Sequence, residues 1–120
     1  MIKWSAFWGS SKDPSKQRKF RYNAPKHVRA RFMSAHLSKV LRAQHKTRSM
    51  ELRVGDTVKV LRGSHKGKSG EISMMDMKNY KVQVAGVEST KRDGSKSFIP
   101  QDPSNLLITS LKSDKRRFAQ

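Results

Sequence analysis

The stretch Val54-Gly55-Asp56-Thr57-Val58-Lys59-Val60-Leu61-Arg62-Gly63-Ser64-His65-Lys66-Gly67-Lys68-Ser69-Gly70-Glu71-Ile72 decides the fold. Leu52, Val54, Val58 and Val60 share one parity, and Arg53, Thr57 and Lys59 take the other. A period of two is the mark of a half-buried strand. Gly55-Asp56 reads as a turn or bulge near its start. Ile72 and Met74 resume the pattern after a loop that holds Gly63, Gly67 and Gly70. Glycine accepts positive φ and lets another backbone come close. Arg62, Ser64, His65, Lys66 and Lys68 share that loop. Bare backbone amides among clustered cations suit phosphate binding. An ordinary solvated hairpin is the competing reading.

The strand pattern continues downstream. Tyr80, Val82 and Val84 alternate with Lys81 and Gln83, after a turn at Lys78-Asn79. Asp93-Gly94 is a hairpin signal between Val87–Thr90 and Ser97–Pro100. A turn at Asp102–Asn105 leads into a last strand, Leu106–Thr109. Short strands joined by tight turns predict a mainly β unit. A small closed barrel is the economical form, because it buries one face and avoids long exposed edges.

Upstream, residues 1–24 lack periodicity, and Gly9–Ser15 has a loop composition. Lys12, Lys16, Arg18, Lys19 and Arg21 follow one another there, interleaved with Phe20 and Tyr22. Aromatics among cations either stack on nucleic-acid bases or pack the arm onto the rest of the chain. Pro25 suits the first position of a helix, with Asn23 as a cap. Val28, Phe32 and Met33 would form its apolar stripe, while Lys26, His27, Arg29 and Arg31 belong to its basic remainder. A second helix is predicted from Ser34 or Ser38, burying Leu37, Val40 and Leu41. The organisation expected is a basic, partly helical extension over 1–49, a β unit over 50–110, and a short basic tail over 111–120, with a short helix in the tail as an alternative.

Charge says what kind of partner to expect. The chain has 120 residues, enough for one domain, and its 27 Lys+Arg outnumber 9 Asp+Glu for a net +18. Residues 1–50 hold 13 cations against Asp13 alone, or +12; residues 51–100 carry +4 and residues 101–120 carry +2. Such a surplus repels itself, and a polyanion relieves it. Nucleic acid is the common one. Hydrophobic residues make up 34%. A core that small does not order the whole chain by itself, so residues 1–50 are expected to order on a partner. The absence of cysteine excludes disulfides and thiolate zinc sites. No apolar run approaches the roughly 20 residues of a membrane span, and the start lacks a secretory leader. A cytoplasmic place is expected, with no membrane partner.

Catalysis finds no candidates. His27, His36, His45 and His65 show no metal-ligand spacing, and the first three, nine residues apart, do not share a helix face. They read as RNA contacts or packing residues. Met74, Met75 and Met77 suit a soft metal or, more commonly, apolar packing. The carboxylates sit beside turns. The glycine loop is too short for a nucleotide-binding P-loop and runs into a strand. No enzyme, cofactor or small-molecule substrate is predicted. An enzyme acting on RNA would need a carboxylate pair or a nucleophile with its base, and neither can be nominated.

The run Val54–Ile72 resembles a KOW motif: a Gly-Asp before the first strand, Arg-Gly and Lys-Gly turns, and a glycine opening the next strand. KOW domains are SH3-like β-barrels of ribosomal proteins and transcription elongation factors. Lys16-Gln17-Arg18-Lys19, Asn23-Ala24-Pro25-Lys26-His27, Met33-Ser34-Ala35-His36-Leu37-Ser38 and Pro103-Ser104-Asn105-Leu106-Leu107-Ile108-Thr109 are similar to the ribosomal large-subunit L-twenty-four family, archaeal and eukaryotic form. The similarity runs over residues 12–117; the leader with Trp4, Phe7 and Trp8 lies outside it. The resemblance implies an SH3-like barrel and a structural, RNA-binding role in the large subunit. Its partners would be large-subunit ribosomal RNA and neighbouring ribosomal proteins. It also implies early action in assembly and a seat near the peptide exit tunnel. The RNA contacts expected are Lys12, Lys16, Arg18, Lys19, Arg21, Tyr22, Lys26, His27, Arg29 and Arg31 in the extension, and Arg62, Gly63, Ser64, His65, Lys66, Gly67 and Lys68 in the loop. A KOW-type transcription elongation or RNA-processing factor is the alternative. Such factors usually carry an α/β domain ahead of the barrel, and residues 1–50 are too short and basic for one.

Overall fold

The computed structural model describes residues 4–117; residues 1–3 of the leader and 118–120 of the tail lie outside the described residues. The helices are α1 (Pro14–Tyr22), α2 (Lys26–Phe32) and α3 (Lys39–His45). The strands are β1 (Ser34–Leu37), β2 (Ser49–Glu51), β3 (Thr57–Val60), β4 (Ser69–Asp76), β5 (Lys81–Val84), β6 (Glu88–Thr90), β7 (Lys96–Phe98) and β8 (Leu106–Ser110). Six strands form one mixed sheet in the order β2-β1-β8-β3-β4-β5. β1 runs parallel to β8, and the other pairs are antiparallel. β6 and β7 form a separate hairpin whose turn places Gly94 at φ 91°.

The alternation read from the sequence builds the core. Val58, Val60, Val82, Val84, Leu106 and Ile108 are fully buried, every second residue of β3, β5 and β8. The buried cluster is aliphatic apart from the Met33 thioether, and β-branched side chains suit such a pleated surface.

Four expectations are met only in part or need correction. The six-stranded sheet does not close: among the described residues β2 and β5 are its edges, so the strands form an open mixed sheet rather than a closed barrel. Beyond β5 the pairing is limited to a bridge, Val82 with Gln101, whose amides and carbonyls bond at 2.9 and 2.8 Å. Pro100 precedes Gln101 and Pro103 follows two residues on; proline has no N–H to extend a ladder. Second, of the two starts expected for this helix the structure takes Ser38, the N-cap of α3, and Ser34–Leu37 is a strand. Ala35 and Leu37 point into the core and His36 outward, and Ser38 N–H then bonds Ile108 C=O at 3.0 Å. Third, α3 buries less than expected, with Val40 67% exposed. Fourth, Met33, Ala35 and Leu37 of the extension belong to the core of the β unit. Nearby, Pro25 is the N-cap of α2 rather than its first residue. A helix unread in the sequence, α1, starts where Asp13 accepts from Ser15 N–H at 3.1 Å and Pro14 opens the first turn.

Asp56 is the buried charge of this core. Its carboxylate accepts from the amides of Arg53 (3.0 Å) and Lys112 (2.9 Å) and from both terminal nitrogens of Arg117 (2.7 and 2.6 Å). Arg117 also donates to Glu51 C=O at 2.5 Å. The tail is thereby fastened under the β2–β3 connection. Burial alone would push the Asp56 carboxyl up; the Arg117 fork and the two amides outweigh it and hold it below the ordinary 3.8. Because the folded value is depressed, this stabilisation is present above the unfolded carboxylate range and lost as pH falls through the folded value. Asp56→Ala strands Arg117 and is expected to cost about 3–5 kcal/mol in denaturant unfolding. Part of the acid sensitivity of unfolding below about pH 4 should disappear with it.

Candidate nucleic-acid interface

The glycine loop joins β3 to β4 as nested turns. Val60 N–H bonds Lys68 C=O and Gly67 N–H bonds Val60 C=O, each at 2.8 Å; Lys66 N–H reaches Gly63 C=O at 3.2 Å. Gly63 and Gly67 sit at φ 95° and 90°, where L side chains are strained, yet a Cβ on either would meet nothing within 4 Å. Gly70 differs. A Cβ there would stand 2.3 Å from Ala85 O, so this glycine's close approach is to the chain's own backbone. Arg62, Ser64, Lys66 and Lys68 are exposed, and the three cations form no ion pair among the described residues. His65 is half-buried with its Nδ1 buried and unpartnered.

The second group of cations lies on the extension. Lys12, Lys16, Arg18, Lys19 and Arg21 are exposed on and before α1, as are Lys26, His27 and Arg31 on α2. The opposite side of α1 holds the leader. Gln17 Nε2 donates to the carbonyls of Trp8, Gly9 and Ser11 at 3.0, 3.1 and 2.7 Å. Trp4 stacks on Phe20 at 5.4 Å and donates its indole N–H to Phe20 C=O at 3.1 Å. Phe20 meets Phe32 edge-on at 5.6 Å, and Phe32 meets Tyr80 at 5.7 Å. Phe20 therefore packs the arm down, whereas Tyr22 is 72% exposed.

Arg29 turns inward. It donates to Ala24 C=O at 2.8 Å, to Met77 C=O at 3.2 Å and to Tyr22 C=O. The guanidinium fork thus bolts the extension to the β4–β5 turn. Asp76 shapes that turn by accepting from Asn79's side chain (2.9 Å) and from the amides of Lys78 and Asn79. These bonds, the Asn79 side chain first, hold its carboxyl below the usual range. Asp93 does the same for the β6–β7 turn through Ser95.

The loop leads into β4, and the turn to which Arg29 bolts the extension follows it. At about 3.3 Å per residue, the eight residues of β4 run roughly 25 Å from the loop to the turn that Arg29 holds. The residues foreseen as RNA contacts therefore fall into two sets at opposite ends of one strand. Sequence reasoning passed over Asp56–Arg117, Arg53–Asp114 and Lys81–Asp102, the ion pairs formed among the described residues. No local signal marks partners so distant in sequence. Among the described residues no group of three His, Asp or Glu side chains gathers as metal ligands. Met75 and Met77 pack against the core, and Met74 is half-exposed.

Exposed cations thus lie in the glycine loop and along the extension. The comparisons give the family. Residues 11–120 match the model of the eukaryotic ribosomal L-twenty-six proteins and their archaeal L-twenty-four counterparts, and the chain belongs to that family. It is 49% identical over 104 residues to the large ribosomal subunit protein uL24 of Methanothrix thermoacetophila, covering 87% of this chain and 90% of that protein. Similarity to the uL24 proteins of Methanoculleus marisnigri (51% over 108 residues, 89% of each chain) and Methanosphaera stadtmanae (46% over 107 residues, 89% and 92%) is of the same order.

Two substitutions test this geometry. Gly70→Ala should cost about 1–3 kcal/mol, since a backbone carbonyl is slow to yield; the melting temperature then drops by several degrees. Arg29→Lys keeps the charge and loses the fork. Amide exchange should accelerate through α1 and α2 while β3 and β8 keep their protection.

Proposed function

We propose that this protein is a structural constituent of the large ribosomal subunit that binds ribosomal RNA at both ends of β4. The observation that carries the reading is identity near one half, over nearly nine-tenths of the chain, to proteins named for that subunit. The unpaired cations of the loop and of α1 support the RNA role. Arg62, Lys66, Lys68 and the backbone of Gly63–Gly67 would take one RNA segment. Lys12, Lys16, Arg18, Lys19, Lys26 and Arg31 would take another, with Tyr22 free to stack. Such contacts read shape and phosphate more than sequence. Function is then mechanical: cations neutralise converging phosphates, and the strand between them fixes the spacing. Neighbouring ribosomal proteins would be further partners, and the working place is the ribosome in the cytoplasm. Action early in assembly and a seat near the exit tunnel belong to the same proposal. So does an SH3-like barrel as the working form of the sheet. The return segment supports it, since Ile99 N–H bonds Val87 C=O at 3.2 Å and Gln101 lies beside β5.

Binding to ribosomal RNA fragments should weaken steeply with salt, by about 0.7–0.9 in the log–log slope per neutralised phosphate. Replacing both Lys66 and Lys68 by alanine should flatten that slope by about 1.4–1.8. A salt-independent affinity would overturn the reading.

A further inference from the structure

A cleft of about 400 Å³ opens between the extension and the β4–β5 turn, within the size range of small-ligand sites. Phe32 and Tyr80 lie in its wall, edge to face. The Arg21 guanidinium sits 4.7 Å from the Tyr80 ring centroid and 5.3 Å from that of Phe32. Arg21 itself is exposed and so accessible to a further flat group. Ser34, Ser104 and Asn79 also line the cleft. The two serine hydroxyls make no hydrogen bond among the described residues, and the Asn79 amide nitrogen is committed to Asp76, leaving its carbonyl oxygen as an acceptor. Hydroxyls and a carbonyl can address the polar edge of a base. At the rim the Asp102 carboxylate is paired with Lys81 at 2.5 Å. That pairing leaves Arg21 as the uncompensated charge of the lining, held against the Tyr80 and Phe32 rings as a flat stacking surface.

Tyr80 adds a second observation. It holds φ 55°, a left-handed conformation that costs a bulky residue about 1–2 kcal/mol. The strain is sustained by the ring's contact with Phe32 and by the bond from the Tyr80 hydroxyl to Arg21 C=O. Strain kept at a bulky side chain marks ligand clamps.

We propose that this cleft receives one unpaired RNA base, stacked on the Arg21 guanidinium that Tyr80 backs from behind. Bases stack on arginine planes as well as on aromatic rings. The proposal rests on the RNA-binding reading and adds a base-dependent site to it, apart from the phosphate contacts.

The test is NMR titration of the full chain with hexamers of adenylate and uridylate, against an abasic hexamer with the same phosphates. The base-bearing hexamers should shift the Phe32 and Tyr80 ring signals and the Arg21 Nε–H, and bind about tenfold tighter than the abasic one. The abasic hexamer should shift the glycine loop and α1 while leaving those rings unmoved. Arg21→Lys keeps the charge, loses the plane, and should bring the ratio close to one with phosphate-driven binding retained. Equal affinity for all hexamers, with the rings unmoved while the loop shifts, overturns the base site and leaves the proposed function standing. No binding of any hexamer sinks both.

Discussion

Twenty-seven cations against nine carboxylates must be kept out of a small aliphatic core, the buried Asp56–Arg117 pair excepted, and the rest of the structure follows from how that is done. Each aspartate is committed inside the chain. Asp13 caps α1; Asp76 and Asp93 close turns; Asp56, Asp102 and Asp114 pair with Arg117, Lys81 and Arg53. None forms an ion pair with the cations of the glycine loop or of α1. The negative charge is used for folding, and the unneutralised positive charge is left at the surface.

Arginine is divided between the two tasks by geometry. Arg29 and Arg117 spend their planar forks on carbonyls and on Asp56, holding the extension and the tail against the sheet. Arg62, Arg18 and Arg31 stay outside. Sequence composition counts all of these as one basic surplus, but only the second kind is available to a partner. Fixing the extension also fixes distance: once Arg29 and Tyr80 pin α2 to one end of β4, the spacing to the loop at the other end is set by strand geometry rather than by a flexible linker.

Local signals were legible. The alternation in β3, β5 and β8, the Asp93-Gly94 hairpin, and the positive φ of Gly63 and Gly67 all follow from residues next to one another. What could not be read depends on partners far along the chain. β1 is only four residues long, and its identity as a strand comes from β2 and β8 on either side. The open edge at β5 depends on where Pro100 falls relative to Val82. Gly70 is legible as the glycine opening the next strand, but that its small size serves Ala85 is not. Asp13-Pro14 did announce α1 in sequence, as a cap followed by a first-turn proline, and was hidden by the polar loop composition around it. For the candidate site, the cationic residues were legible as a set, while their division into two ends was not.

The central claim is that the two ends hold different RNA segments at once. Crosslinking of the protein within assembled large subunits, with each crosslinked peptide assigned to its nucleotide, tests it most directly. The account predicts that Arg62–Lys68 and Lys12–Arg31 link to RNA segments separated along the sequence of the RNA. Crosslinks from both sets to one and the same short segment, or none from the loop, would contradict it.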